Sequence, residues 1–137
     1  MITSLYAALL TLIYIGLSIY VIAGRWKFKL AVGDGNQDNM KRRIRAHGNF
    51  AEYAPLFLII LGLAEYSGLP ASAVHGFGLL FVAARLLHAY SLTIGERYKD
   101  GILTGGIRFR SIGMVGTFTS MALLALVLIV QWIANSH

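Results

Sequence analysis

Between Arg42 and Pro55 the chain reads RRIRAHGNFAEYAP, which sets arginine, histidine, asparagine and glutamate at the head of an apolar stretch. On a helix, Arg42, Arg45, Asn49 and Glu52 are spaced 3, 4 and 3 and so form one stripe. Leu56, Phe57, Leu58, Ile59, Ile60 and Leu61 follow at once, and these residues have to be buried or lipid-facing. Ionisable groups entering such a segment are costly unless they face a partner, a ligand or water. A second pair, Arg85 and His88, shares one helical face near the end of a later apolar run, and Arg108 and Arg110 stand before the last run. The set is basic with a single well-placed acid, Glu52, which suits a small anion that also carries one ammonium group. A metal would need more histidine or carboxylate ligands at close spacing, so no metal site is expected. The chain has no cysteine, so disulfides and thiolate zinc sites are excluded and any thiol chemistry has to use a substrate's thiol.

Four apolar segments have to position these groups. Of the 137 residues, 57% are hydrophobic and only 13% charged, too few charges to clothe a soluble surface. The composition predicts one all-α integral membrane domain over residues 1–137, a bundle of four transmembrane helices at about 2–24, 38–67, 71–94 and 111–135. Ile2 to Gly24 is too long for a signal peptide, follows no basic residue and ends without a cleavage pattern, so it reads as a retained first span. Asp34-Gly35 marks a turn, and Asp38 or Asn39 is expected to cap the second helix. Arg25, at the end of the first helix, can turn towards the polar stripe. Gly113 and Gly116 permit close helix contact at the start of the fourth span.

A net charge of +6 would fit nucleic acid, but the basic residues flank apolar runs and act instead as topology signals. Arg25 through Arg45 contribute seven lysines and arginines and the third loop four, whereas the second loop and both termini hold none. Loops one and three are therefore expected in the cytoplasm, with both termini outside. The cytoplasmic ends of helices two, three and four then bring Arg42, Arg45, His47, Asn49, Glu52, Arg85, His88, Arg108 and Arg110 to one end of the bundle, where they can line one cavity.

RRIRAHGNFAEYAPLF followed by ARLLHAY, with VGDG in the first loop and RSIG opening helix four, resembles the membrane-associated proteins in eicosanoid and glutathione metabolism, the MAPEG family. The likeness covers essentially the whole chain and is nearest to the bacterial branch, which points to a bacterial inner membrane. It implies a four-helix protomer, a homotrimer, and glutathione bound as cosubstrate between protomers near the cytoplasmic side. On this resemblance Arg45, Asn49, Glu52 and Tyr53 fall on the glutathione-binding helix, His47 helps to hold the peptide, and Arg85 and His88 supply helix-three contacts. Arg110, with Ser111 beside it, matches the arginine that activates the thiol, and Arg108 competes for that role. One departure is Leu92, where many members carry a tyrosine.

These roles suit a ligand with two carboxylates, one ammonium group and one thiol. Arginines fork onto carboxylates, Glu52 can pair with the ammonium group or lock a neighbouring arginine, and an arginine beside sulfur favours thiolate. A lipophilic second substrate would arrive from the membrane lipids for conjugation or peroxide reduction. The expected activity is thus that of a microsomal-type glutathione transferase or peroxidase serving detoxification. The rival is a non-catalytic ligand-binding or scaffold trimer that keeps the polar clamp, with Arg85 paired to Glu52 as a structural alternative. A transporter would need a polar path, and beyond Glu52 and Arg85 the helix centres are apolar.

Overall fold

The computed structural model describes residues 1–99 and 102–135. Four long helices dominate: α1 (Thr3–Phe28), α2 (Asp38–Tyr66), α3 (Ala71–Tyr90) and α4 (Ile107–Asn135). A single π turn, Ser91–Gly95, extends α3, and a small antiparallel hairpin of β1 (Arg97–Lys99) and β2 (Ile102–Gly105) leads into α4. Thr3–Phe28, Ala71–Gly95 and Ile107–Ala134 are long and apolar enough to cross a membrane. The second helix falls short by composition, because the charged stripe and Glu65 occupy its two ends.

Two helix ends depart from the sequence expectation. The first helix runs on past Gly24 to Phe28, where Lys29 takes a left-handed conformation at φ 55°. Gly24 does not break it because a Cβ there would come within 2.7 Å of Arg43 Cδ: the glycine admits the α2 side chain rather than ending the helix. The fourth helix starts at Ile107, not Ser111, so Arg108 and Arg110 stand on its first turn instead of in a loop. Gly106, at φ +88°, makes that turn possible, and its Cα lies against the Gly95 carbonyl so closely that a Cβ would be 2.1 Å from the oxygen.

The expected cap of α2 is also corrected. Gln37 precedes the helix without a side-chain cap. Asp38 instead pairs with Lys41 at 3.5 Å, and Asn39 Oδ1 accepts a hydrogen bond from Arg43 Nε at 2.7 Å. The Asp34-Gly35 turn forms as read, with the Asn36 N–H on Asp34 Oδ1 at 2.8 Å. Arg25 does not reach the stripe; its Nη1 donates to the Ala31 carbonyl at 2.8 Å.

The core lies between the helices; it is mainly apolar, with a polar portion that includes Asn49, Arg85, His88 and Thr117. Phe57 of α2 and Phe81 of α3 stack with centroids 3.8 Å apart, and Tyr6 of α1 packs its ring over Gly78, where a Cβ would clash at 2.4 Å. Helix α1 packs chiefly on α2, and α3 on α4. Gly113 makes the second pairing close, since a Cβ there would lie 2.7 Å from the Ala84 carbonyl oxygen. Leu12, Ile19, Ile59, Val115 and Ile129 face outwards, an apolar exterior that lipid tolerates and water does not. At the end of the bundle away from the arginines, the Glu65 carboxylate accepts the N–H groups of Ile2 and Thr3, answering the exposed donors at the start of α1. Those pairings leave the opposite end to the basic residues.

Candidate functional site

Helical periodicity assembles the site. Arg45, Asn49 and Tyr53 recur every fourth residue on α2, His88 and Leu92 lie one turn apart where α3 passes into the π turn, and Arg110 and Met114 lie one turn apart on α4. These seven residues line a single cavity of about 240 Å³. Three expected ligand-binding residues of α2, one of α3 and the expected thiol-activating arginine thus meet in one place.

Behind the cavity wall, Arg85 is wholly buried. Its Nη2 donates to Asn49 Oδ1 at 2.7 Å and its Nη1 to Thr117 Oγ1 at 3.1 Å, while Thr117 returns its own hydroxyl to the Gly113 carbonyl at 2.8 Å. The guanidinium also lies 5.6 Å from the Tyr53 ring centroid. Arg85 therefore holds α2, α3 and α4 together and does not line the cavity. It pairs with Asn49 rather than with Glu52, the partner expected as a structural alternative.

Arg110 is differently held. Its Nη1 lies 3.2 Å from Glu96 Oε1 and 3.4 Å from Oε2. The Glu96 side chain has no exposed surface, whereas that of Arg110 is 39% exposed. Ser91 Oγ sits 3.4 Å from Glu96 Oε1 and 3.1 Å from the Gly106 carbonyl oxygen. Arg42, from the start of α2, donates to the Glu96 carbonyl at 3.4 Å.

Other predicted residues stand outside this cavity. Glu52 faces a neighbouring groove of about 320 Å³ shared with Asp34, Lys41, Ile44, Arg45 and Gly48. There it meets Arg45 at 3.6 Å, so Arg45 borders both spaces. His47 points the other way, towards α1, with Nε2 3.0 Å from Ser18 Oγ and its ring stacked on Tyr14 at 4.7 Å. Ser111 and Arg108 are exposed and line neither space. Of the two competing arginines, Arg110 is the one at the cavity.

Glu96, Ser91, Met114 and Thr117 belong to the surroundings of the cavity and were not candidates from the sequence. Thr117 had a usable signal, lying seven residues after Arg110 on the same helical face. Among the described residues, no three His, Asp or Glu side chains gather as a metal would require. The cavity is lined by two arginines, an amide, a phenol and an imidazole, a set that donates hydrogen bonds to anionic oxygen or sulfur.

Comparison with known proteins places the chain in a family. The model of the MAPEG family matches residues 3–130. Inner membrane protein YecN of Escherichia coli strain K12 is 33% identical over 126 residues, covering 92% of this chain and 88% of YecN. YecN of Escherichia coli O6:H1 matches to the same extent. With a family match along nearly its whole length and a relative aligned over most of both chains, this helical integral membrane protein belongs to the MAPEG family, the membrane-associated proteins in eicosanoid and glutathione metabolism.

Proposed function

We propose that the cavity between α2, α3 and α4 binds glutathione and that Arg110 stabilises its thiolate for attack on lipophilic electrophiles or hydroperoxides. The observation that carries this reading is the convergence of Arg45, Asn49, Tyr53, His88 and Arg110 on one space. Arg45, which borders both the cavity and the neighbouring groove, suits a carboxylate of the peptide, and Glu52 in that groove suits its ammonium group where the ligand extends past Arg45. A free thiol has a pKa of about 8.5 and is mostly protonated at neutral pH, so a fixed guanidinium beside sulfur raises the nucleophilic fraction as the proton passes to solvent. In conjugation the thiolate forms a carbon–sulfur bond as the electrophilic carbon releases a leaving group with its bonding pair, or, in an addition reaction, as the displaced π pair takes up a proton. In peroxide reduction it attacks one peroxide oxygen, the O–O bond breaks, the alkoxide leaves and takes up a proton as the alcohol, and the resulting sulfenic acid condenses with a second glutathione to give the disulfide and water.

The same reading takes the molecule as a homotrimer with α2 as the fourth span, the arginine-rich end cytoplasmic, and the second substrate arriving from lipid. The exposed Arg45–Glu52 face and the apolar exterior support it. His47 and Ser111, which stand away from the cavity of their own protomer, would take part only from a neighbour's side.

A second reading has its own observation. The Arg85–Asn49–Thr117 network is buried and turned inwards, as a clamp that only holds helices would be. On that account the protein is a non-catalytic binding or scaffold trimer. Glutathione titration of the detergent-purified protein, following heat and ultraviolet thiolate absorbance together, separates the two. Binding with thiolate formation in the wild type, and binding without thiolate in Arg110→Ala, supports the transferase. Binding without thiolate in the wild type supports the non-catalytic reading, and the absence of binding by folded protein overturns the glutathione assignment.

A further inference from the structure

We propose that Glu96 is a positioning residue that aims the Arg110 guanidinium into the cavity. The inference rests on the glutathione reading for its chemical consequence, but its structural part stands without it. Arg110 sits on the first turn of α4 with a long side chain that is 39% exposed, and the carboxylate that meets its guanidinium comes from Glu96, outside that helix. The Glu96 carboxylate is fully buried and meets Arg110 Nη1 through both oxygens, at 3.2 and 3.4 Å.

Glu96 is itself held through its side chain and through both of its backbone polar groups. The Ser91 hydroxyl approaches it at 3.4 Å, the Glu96 N–H closes the π turn on the Ser91 carbonyl at 2.9 Å, and Arg42 of α2 donates to the Glu96 carbonyl at 3.4 Å. A π turn is uncommon and recurs at functional sites. Here it delivers an acid from the end of α3 to a base at the start of α4. The bridge uses Nη1, leaving Nη2 and Nε of the planar group as donors that can be directed elsewhere.

Stability is a poor account of this pair. Burying a carboxylate costs solvation that one partly exposed arginine only offsets, so such bridges are weak sources of folding energy. Geometry is the better account, and it makes a prediction of sign. Arg45 and Tyr53 from α2, His88 from α3 and Arg110 from α4 line the cavity, Arg85 lies behind its wall on Asn49, and Arg42 and Glu96 stand beside it. If Glu96 acted only through its charge, neutralising it would make the surroundings more positive and raise the thiolate fraction of bound glutathione. If it acts by aiming Arg110, the same change lowers that fraction.

The test uses the full chain in detergent with Glu96→Gln, which keeps size and removes charge, and Glu96→Asp, which keeps charge and withdraws the carboxylate by one methylene. Rotation of the Arg110 guanidinium about Nε–Cζ is read by nitrogen NMR, with Arg110→Lys identifying the signal and circular dichroism confirming the fold. Glutathione binding heat and thiolate absorbance are followed on the same samples. Hindered rotation is expected in the wild type and free rotation in both variants. Little change in Kd and a fall of about tenfold in thiolate at fixed pH, one pKa unit for the bound thiol, should accompany it.

Free rotation of Arg110 in the wild type overturns the proposal whether or not a variant folds. Unchanged rotation in a folded variant overturns it too, as does a rise in thiolate in Glu96→Gln. Release of Arg110 in the variants of a protein that never ionises glutathione would leave the positioning role standing and remove the thiol chemistry.

Discussion

Arg85 Nη2 donates to Asn49 Oδ1 at 2.7 Å across the interface of α3 and α2, with neither side chain appreciably exposed. The bond runs from the wall of the cavity to the charge behind it. It gives Asn49 two duties, presenting its remaining surface to the cavity while compensating a cation buried in the bundle.

Asn49→Leu keeps the volume and removes the acceptor, leaving part of a buried guanidinium unsatisfied. A loss of about 1–3 kcal/mol or more is expected, because the abandoned group is charged. Chemical or thermal unfolding in detergent, compared with the wild type, measures it. An unchanged midpoint would show that the bond contributes nothing to stability.

Gly113→Ala should force α3 and α4 apart. The new Cβ would lie 2.7 Å from the Ala84 carbonyl oxygen and 2.8 Å from His88 N and Cβ, and backbone atoms cannot give way as a flexible side chain does. The expected cost is about 1–3 kcal/mol. Glutathione affinity should fall with it, since His88 and the neighbouring Met114 both line the cavity. Gly16→Ala, whose Cβ meets nothing within 4 Å, is the matched control and should be neutral or slightly stabilising.

Arg45→Ala should separate binding from stability. Its bridge to Glu52 is 3.6 Å long and joins side chains that are 64% and 51% exposed. Such a pair contributes less than about 1 kcal/mol, so the unfolding midpoint should barely move. Glutathione binding, measured by calorimetry, should weaken by about tenfold through loss of a charge-assisted contact. Equal binding would remove Arg45 from the site.

Glu65→Ala should lower the unfolding temperature while leaving glutathione binding unchanged. The carboxylate answers the Ile2 and Thr3 N–H groups at the start of α1, at the opposite end of the bundle from the cavity. A change in ligand affinity at constant stability would contradict this division between the two ends.

Much of the site was legible because helices repeat. Arg45 and Asn49 follow from the stripe that also holds Arg42 and Glu52, and Arg85 and His88 from a spacing of three, whereas Tyr53 came from the family likeness. The same rule carried information about His47 that the family likeness outweighed: two residues beyond Arg45, it is rotated by about 200° and so meets α1. Glu52, three residues past Asn49, drifts to the adjoining groove for a similar reason. Whether Arg85 would choose Asn49 or Glu52 could not be read from spacing, since it depends on how α3 is rotated against α2. Glu96 was hidden more deeply. In sequence it is one of two acids in a basic loop, and only the π turn and the early start of α4 bring it to Arg110.

The contact between Gly95 and Gly106 bears on how this region can vary. Gly106 lies too near the Gly95 carbonyl for any side chain, and the Ser91 hydroxyl reaches the Gly106 carbonyl from below. The chain is therefore cinched at the base of the β1–β2 hairpin, with Glu96 and Arg110 anchored from α3 and α4 rather than from the strands. The hairpin is an appendage on a closed neck. Its length and sequence can drift, or be replaced by a graft, while the acid and the arginine keep their distance.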